Sequence, residues 1–387
     1  MSVAGAPAAP IRILFVDDEV AVLQAMRLAL YGMRAHWEMQ FASSGAEAIA
    51  LLAERTADVV VSDMRMPGMD GWELLGLVRD SHPQAIRFIL SGYADMGSIM
   101  RVVGIAHQYL AKPCDSGALK AAIERAVSLR QLLQNDRLLQ RVGRLGSLPG
   151  LPQTFLDLAD CVRRPESTIQ EIAAVVARDI AMTTNVMKVV NSAFFGARKP
   201  FTQIDRAVAY LGLDALGALV LGEGAFGNAR GRTITAAQSA RLIQHGQNTA
   251  LLARAITRAE GGTSDESEQA FLAGMLHEIG AIVLGSLDIG EEEYFSLHAE
   301  AGAYLLGLWG FPTLVVEAVA YCQFPSRAPG TGLTLPCVIH IADRLAAHAA
   351  KIATHPLEES LESGLLDARA LRDRLPDWIS LAAQLSA

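Results

Sequence analysis

Short apolar segments alternate with segments of helical spacing near the start of the chain, and this alternation constrains the fold more than any other feature. The strand-like segments are residues 12–16, 38–42, 59–62, 85–90 and 107–111. Helical spacing follows them over residues 20–31, 45–54, 71–80, 96–103 and from about residue 117. Strands that alternate with helices form a parallel sheet covered by helices on both faces. We therefore predict an α/β doubly wound domain with a five-stranded parallel sheet over residues 10–128.

Polar side chains follow four of these strands at the point where each strand ends. Asp17 and Asp18 follow the first strand, Asp63 the third, Ser91 the fourth and Lys112 the fifth. Because the carboxyl ends of parallel strands meet at one edge of a sheet, we expect these side chains to lie close together. Clustered carboxylates repel one another, and Mg²⁺, which prefers oxygen ligands, relieves that repulsion. The sequence therefore predicts a Mg²⁺ site at this edge.

The same cluster suits the transfer of a phosphoryl group to a carboxylate. Asp63 supplies the nucleophile, Lys112 a movable positive charge and Ser91 a hydroxyl that donates to a phosphoryl oxygen. The alternative interpretation is that Asp63 is a turn acid that caps the next helix, and that the other polar residues are unrelated.

Residues 10–128 resemble the response-regulator receiver domain over their whole length. The resemblance rests on the motifs Val16-Asp17-Asp18-Glu19, Ser62-Asp63-Met64-Arg65-Met66-Pro67-Gly68-Met69-Asp70-Gly71, Leu90-Ser91-Gly92 and Leu110-Ala111-Lys112-Pro113. It implies a flavodoxin-like fold in which Asp63 takes a phosphoryl group from a phosphohistidine of a sensor histidine kinase.

The resemblance also implies a role for each residue of the site. Asp18 and Asp63 would bind Mg²⁺ directly, Asp17 would bind it largely through water, and the backbone carbonyl of Arg65 would be a further ligand. Lys112 would pair with the phosphoryl group, and the bond from Lys112 to Pro113 would be cis. Ser91 and Tyr109 match a switch in which the hydroxyl moves toward the phosphoryl group and the aromatic ring turns inward.

A connector over residues 129–146 follows the receiver-like segment. Residues 117–145 predict one long helix with no internal proline, whose apolar face is interrupted at residues 135–137. A helix that outruns its own domain must bury its apolar face on another surface. We expect that surface to belong to a second copy of the chain, in a homodimer, or to the next domain; a purely structural linker is the alternative.

Residues 147–350 predict an all-helical domain. Helical spacing extends over residues 156–162, 169–176, 182–190, 204–211, 237–258, 268–284, 299–308 and 314–321. Gly and Pro breaks separate these segments. Residues 351–387 predict a tail of short amphipathic helices that packs on the bundle or on a partner.

Four residues of the helical segment suit a metal site, namely His245, His277, Glu278 and Asp343. Polar side chains inside apolar helices need partners, and histidine and carboxylate ligands from separate helices can build a metal site in a bundle core. Taken singly, each histidine also fits a satisfied core or surface residue.

Residues of about 145–346 resemble the HDOD domain, a relative of the HD metal-dependent phosphohydrolases. The motifs include Leu148-Pro149-Gly150-Leu151-Pro152, Asn191-Ser192-Ala193-Phe194-Phe195-Gly196, and Gly274-Met275-Leu276-His277-Glu278-Ile279-Gly280. The resemblance implies a non-catalytic signalling module with an unknown protein partner.

HD enzymes bind metal through a His…His-Asp…Asp set of ligands. Comparison of this chain with those ligands gives an alternative function. His245, His277 and Asp343 match three of the ligands, Glu278 replaces the aspartate, and Tyr321-Cys322 replaces the later paired histidines. We therefore expect a degenerate site and predict no metal there. The alternative is a receiver-controlled HD-type phosphohydrolase or cyclic-dinucleotide phosphodiesterase.

Charge and hydropathy patterning exclude several other classes of protein. A net charge of −8 without a basic run argues against direct binding to nucleic acid or to an anionic membrane surface. The apolar stretches 207–221 and 271–284 are interrupted by Asp214 and by His277-Glu278, so we predict no membrane-spanning helix. Four widely spaced cysteines fit a reduced, cytoplasmic protein. The sequence as a whole predicts a cytoplasmic response regulator of a two-component phosphorelay.

Overall fold

The computed structural model describes residues 10–92, 104–130, 136–145, 147–148, 152–164, 166–192, 200–221, 236–284, 291–350 and 356–386. These residues form two compact units. The first unit extends to Ser147 and includes Ser192, and the second comprises Leu148–Asn191 together with the described residues from 200 onward.

A parallel sheet of five strands forms the centre of the first unit. The strands are β1 (Ile11–Val16), β2 (Trp37–Ala42), β3 (Val59–Asp63), β4 (Ile86–Gly92) and β5 (Gln108–Lys112). Their order is β2-β1-β3-β4-β5, and every neighbouring pair is parallel. Strand β3 is buried along its whole length, as a central strand covered on both faces must be. The predicted doubly wound, flavodoxin-like sheet is confirmed.

Four described helices accompany this sheet. They are α1 (Val20–Ala29), α2 (Gly45–Glu54), α3 (Gly71–Ser81) and α4 (Ser116–Arg130). Asp70 caps α3 in a capping box with Glu73, so this helix begins directly after the Met-Pro-Gly loop that follows β3. The helix predicted over residues 96–103 lies outside the described residues.

The connector contains two described helices where the sequence predicted one. Helix α4 ends at Arg130 and helix α5 (Asp136–Arg144) follows, and residues 131–135 lie outside the described part of the chain. A straight continuation of α4 would carry residue 143 about 20 Å beyond Arg130. Instead α5 contacts α3, and the carbonyl of Gly143 lies 3.2 Å from His107 at the start of β5. Val142 of the apolar face is fully buried within the chain itself, so it cannot contact a twin helix.

The second unit is helical throughout its described residues. Its first helices are α6 (Pro152–Arg163), α7 (Ile169–Val176), α8 (Ile180–Val190), α9 (Ile204–Leu221, kinked at Gly212), α10 (Ala236–Ala259) and α11 (Ser264–Leu276). It continues with α12 (Ile279–Leu284), α13 (Glu291–Leu308), α14 (Thr313–Ala320) and α15 (Leu335–Ala349). The all-helical class predicted for this segment is confirmed.

Two details of this unit differ from the prediction. The single helix predicted over residues 268–284 is wrong, because α11 ends at Leu276 and α12 begins at Ile279. The chain turns at His277, whose Nδ1 lies 2.7 Å from the Gly274 carbonyl and satisfies an acceptor that the helix end leaves open. Helix α15, which carries Asp343, was not predicted from the spacing of the apolar residues.

The tail helices α16 (Leu357–Ser360), α17 (Leu365–Ala368) and α18 (Leu375–Ser386) belong to the second unit. Helix α18 packs on α10 and α15. Trp378 is fully buried and donates its indole N–H to Glu260 at 2.9 Å. Within the described part of the chain, no helix is both long enough and apolar enough to cross a bilayer.

Candidate functional site

Lys112 joins the acidic residues at the carboxyl edge of the sheet. Its Nζ lies 2.7 Å from a carboxylate oxygen of Asp17 and forms a second ion pair with Asp63. Asp17 and Asp63 are buried, whereas Asp18 is exposed beside them in sequence. The structure thus brings the first, third and fifth strand ends together, as the sequence predicted. Lys112 precedes Pro113 through a cis bond, which was also predicted.

The loop after β3 fixes the orientation of the Asp63 carboxylate. The backbone N–H of Arg65 donates to Asp63 Oδ2 at 2.7 Å, and the N–H of Met64 donates to the carbonyl of Leu90 at 2.9 Å. Helix α3 begins against the same point, because a Cβ at Gly71 would lie only 2.1 Å from the backbone oxygen of Asp63. Asp63 is therefore held between a strand end, a bonded loop and the first turn of a helix.

The carboxylates of this site outnumber its ammonium group. Asp17, Asp18 and Asp63 contribute three carboxylates, and Lys112 contributes one ammonium group. Burial raises the pKa of Asp63, and the hydrogen bond and charge of Lys112 only partly offset that effect. Burial alone would lower the pKa of Lys112, but the bonds to Asp17 and Asp63 outweigh it and raise that pKa. A set of oxygen donors with excess negative charge fits Mg²⁺.

Ser91 and Tyr109 lie on one face of the sheet beside this site. Ile89 pairs with Tyr109 and Ser91 pairs with Ala111, so the alternation of strand residues places Ser91 and Tyr109 on the same side. The buried Ser91 hydroxyl has no hydrogen-bond partner among the described residues. The Tyr109 ring points inward with 1% of its surface exposed, and its hydroxyl donates to the Ala106 carbonyl at 3.2 Å. Burial raises the pKa of Tyr109 well above its usual value.

A second cluster lies in the helical unit, where predicted residues from two helices and from the turn between α11 and α12 meet. His245 Nε2 of α10 lies 2.7 Å from Asp343 Oδ1 of α15, and His277 Nε2 lies 3.5 Å from the same oxygen. Their ligand atoms all lie within 4.8 Å of one another. Glu278, the fourth predicted member, is half-buried and is not among the described residues that form this cluster.

The tautomer of His277 follows from its partners. Its Nδ1 lies 2.7 Å from the Gly274 carbonyl and must donate to it, so Nε2 is the atom that faces the cluster. This Nε2 is buried and has no hydrogen-bond partner in the described part of the chain. Such an atom fits a metal ion, and equally fits a second proton shared with Asp343.

The groups of this cluster shift one another's pKa values toward their charged forms. Burial alone would raise the pKa of Asp343, but the hydrogen bond from His245 and the nearby positive charges of His277 and Arg344 hold it well below its usual value. Burial alone would lower the pKa of His277, but Asp343 outweighs it and raises that pKa. Arg344, which sequence reasoning did not select, adds positive charge 3.5 Å from Asp343. The sequence signal for Arg344 was its position directly after Asp343.

Three family models match the chain. The response regulator receiver domain matches residues 13–124, the HDOD domain matches residues 148–293, and the HD domain matches residues 242–348.

Curated relatives match mainly over their receiver-like part. The DNA-binding transcriptional regulator NtrC of Escherichia coli K12 is 34% identical over 145 residues, which is 36% of this chain and 30% of NtrC. The response regulator protein FleR of Pseudomonas aeruginosa is 32% identical over 162 residues, which is 41% of this chain and 32% of FleR. An uncharacterized protein of Treponema pallidum is 26% identical over 208 residues, which is 48% of this chain and 39% of that protein. The chain thus spans well under two thirds of each relative.

Solved structures give similar matches. The signal receiver domain of an HD domain-containing protein from Pseudomonas fluorescens Pf-5 is 30% identical, with a TM-score of 0.30, over 32% of this chain and 98% of that chain. The MmoQ response regulator from Methylococcus capsulatus is 20% identical, with a TM-score of 0.46, over 60% of this chain and 98% of that chain.

Proposed function

Because the chain belongs to the response regulators that join a receiver domain to an HDOD domain, we propose that it accepts a phosphoryl group on Asp63 from the phosphohistidine of a sensor histidine kinase. The observation that supports this proposal most is the pairing of Lys112 with both Asp17 and Asp63. One ammonium group between buried carboxylates of two strand ends forms a site that attracts a phosphoryl group and a divalent cation together.

Each residue of the site has a part in this reaction. A carboxylate oxygen of Asp63 attacks the phosphorus atom while the bond to the histidine nitrogen breaks. Lys112 then pairs with the phosphoryl oxygens, and the unpartnered hydroxyl of Ser91 donates to one of them. Asp18, Asp63 and the backbone carbonyl of Arg65 would hold Mg²⁺, with Asp17 bound largely through water. The ion would neutralise charge on the transferred group.

The proposed output is a change in protein binding by the helical unit. Phosphorylation adds negative charge beside Ser91 and Tyr109 and reshapes the face that carries them. The HDOD domain would act without catalysis, since Glu278 stands where HD enzymes have a ligating aspartate and lies outside the described cluster. The proposal includes a cytoplasmic location, an unidentified protein partner and a homodimer, and it requires no contact with nucleic acid.

Acetyl phosphate with Mg²⁺ tests the phosphoryl transfer on the full chain. The wild type is expected to gain one phosphoryl group by intact mass, and Asp63→Asn is expected to gain none. Asp58→Asn is the matched control, because Asp58 precedes β3 and accepts the backbone N–H of Arg12 at 2.9 Å, away from the site. Labelling of Asp63→Asn at the wild-type rate would contradict the proposal.

A second candidate function is metal-dependent phosphohydrolysis, favoured by the buried Nε2 of His277 that faces His245 and Asp343. These three side chains would hold a divalent Zn, Mn or Fe ion, which would activate a water molecule. Metal analysis of the purified protein distinguishes the two outputs. The control is His298→Gln, because His298 is also buried but lies outside the described cluster. Stoichiometric metal that is lost in His277→Ala but kept in His298→Gln would favour the enzyme, and absence of metal in the wild type would favour the binding module.

A further inference from the structure

His107 lies at the amino end of β5, the end of that strand opposite the acidic site. His107 comes two residues before Tyr109 and directly before β5, and its backbone N–H bonds to the carbonyl of Arg87 at 2.8 Å. Tyr109 shares one face of the sheet with Ser91. Residues 107–109 therefore join the face beside the acidic site to the amino end of β5.

A series of hydrogen bonds runs from Tyr109 through the Ala106-His107 segment to the connector helix. The Tyr109 hydroxyl donates to Ala106, the residue that immediately precedes His107. His107 Nδ1 accepts the backbone N–H of Arg87 at 3.0 Å, so the ring proton resides on Nε2. That Nε2 lies 3.2 Å from the backbone carbonyl of Gly143 and donates to it. Strand β5 is thereby bonded to the last turn of α5.

The contact at Gly143 is close as well as polar. The carbonyls of a last helical turn have no partner within their own helix, so His107 satisfies an acceptor that would otherwise stay open. A Cβ at Gly143 would lie 1.8 Å from the backbone oxygen of Pro83, so only glycine permits this approach. The Arg87 guanidinium lies 3.1 Å from His107 Nε2 and contributes positive charge near the negative end of the helix.

We propose that His107 is a latch that holds the connector helix α5 on the receiver domain, and that Tyr109 sets the position of the latch through Ala106. The output signal is then the release or retention of α5, whose last residue, Arg144, comes shortly before the helical unit in the sequence. The latch itself is inferred from the contacts described above. Its trigger, the movement of the Ser91 hydroxyl toward the phosphoryl group beside the buried Tyr109 ring, rests on the proposed function.

Hydrogen–deuterium exchange of the full chain, followed by mass spectrometry of peptides from residues 136–145, tests the latch. His107→Asn places an amide oxygen at the Nδ1 position, where it still accepts the backbone N–H of Arg87. The asparagine side chain is too short to reach the carbonyl of Gly143. His107→Gln places an amide nitrogen at the Nε2 position, where it still donates to Gly143. Loss of one net hydrogen bond corresponds to about fivefold faster exchange in α5. We expect this acceleration in His107→Asn and near wild-type exchange in His107→Gln.

Tyr109→Phe tests the second half of the latch without phosphorylation. It removes the hydroxyl and keeps the ring, and we expect faster exchange in α5, with Tyr31→Phe, an exposed tyrosine, as the matched control. Peptides of α1 and α2 report general destabilisation, and they are expected to exchange as in the wild type. Unchanged α5 exchange in His107→Asn, equal acceleration in His107→Gln, or equal acceleration in α1 and α2 would overturn the latch.

The trigger is tested by the same hydrogen–deuterium exchange measurement after treatment of the full chain with acetyl phosphate and Mg²⁺. Phosphorylated wild type is expected to exchange faster in α5, and treated Asp63→Asn is expected not to change. A wild type that is fully phosphorylated but unchanged in α5 would overturn the coupling and leave the proposed phosphoryl transfer intact. A wild type that takes up no phosphoryl group would refute the proposed function, while the His107 and Tyr109 variants would still decide the latch.

Discussion

Replacing either of two glycines of α3 by alanine is predicted to have opposite effects. Gly71 is the first residue of α3, and its Cα faces the backbone of Asp63. Gly76 lies in the middle of the same helix, and a Cβ there would meet only Ile105 Cδ1, at 3.9 Å. The chemical change is the same in both variants, so any difference between them reports the packing of α3 against the phosphoryl acceptor.

The size of the two effects follows from the distances between each added Cβ and its nearest atoms. At Gly71 the new Cβ would lie 2.1 Å from the Asp63 oxygen, and ordinary contact begins at 3.4 Å, so the helix start and the strand end must separate by roughly 1.3 Å. Overpacking of this kind costs about 1–3 kcal/mol in free energy of unfolding. Gly76→Ala meets no such obstacle and gains about 0.5–1 kcal/mol from helix propensity. A displacement of about 1 Å at Asp63 can also slow phosphoryl transfer up to ~100-fold.

Two measurements on the full chain check these values. Native-state hydrogen exchange in β1 and β3 gives the free energy of unfolding of the receiver domain alone. The rate of labelling by acetyl phosphate gives the effect on the reaction. We expect Gly71→Ala to be less stable and slower, and Gly76→Ala to be more stable and equally fast. Equal stability and equal rates in the two variants would refute the role of this close contact in positioning Asp63.

Three further predictions concern single side chains. Ser91→Ala removes a buried hydroxyl without a described partner, so thermal unfolding is expected to show equal or higher stability, whereas labelling by acetyl phosphate slows. Trp378→Phe removes the indole bond to Glu260 and is expected to cost about 1 kcal/mol of the stability of the helical unit, measured by urea unfolding. Burial lowers the pKa of His340 below its usual 6.5. As the pH falls, this histidine therefore takes up a proton at a higher pH in the unfolded chain than in the folded chain. The free energy of unfolding should therefore fall as the pH drops below about 6.5, and His340→Gln should make that slope shallower in denaturation curves.

The acidic site was predictable from sequence because the rules that place it are local. Each of its residues follows a short apolar strand, and a parallel sheet brings the carboxyl ends of its strands to one edge. Knowing that Asp63 and Lys112 end their strands was enough to predict their contact. No long-range information beyond the alternation of strands and helices was needed.

The path of the connector was not predictable in the same way. The apolar positions around Val142 indicate a buried helix face, but they do not say which surface covers it. The answer depends on Gly143 fitting against Pro83 and on His107 reaching its carbonyl, and both contacts join segments far apart in sequence. Similarly, apolar spacing continues across His277, so the turn there depends on the side-chain bond to Gly274 rather than on a Gly or Pro break.

Reduction with borohydride after treatment with acetyl phosphate and Mg²⁺ shows which aspartate of the chain carries the phosphoryl group. Borohydride converts an aspartyl phosphate to homoserine, and tandem mass spectrometry then locates the modified residue. We expect homoserine at position 63 of the wild type, unmodified Asp17, Asp18 and Asp58, and no homoserine in Asp63→Asn. Modification of Asp17 or Asp18 instead, or a fully labelled wild type in which position 63 remains aspartate, would contradict this expectation.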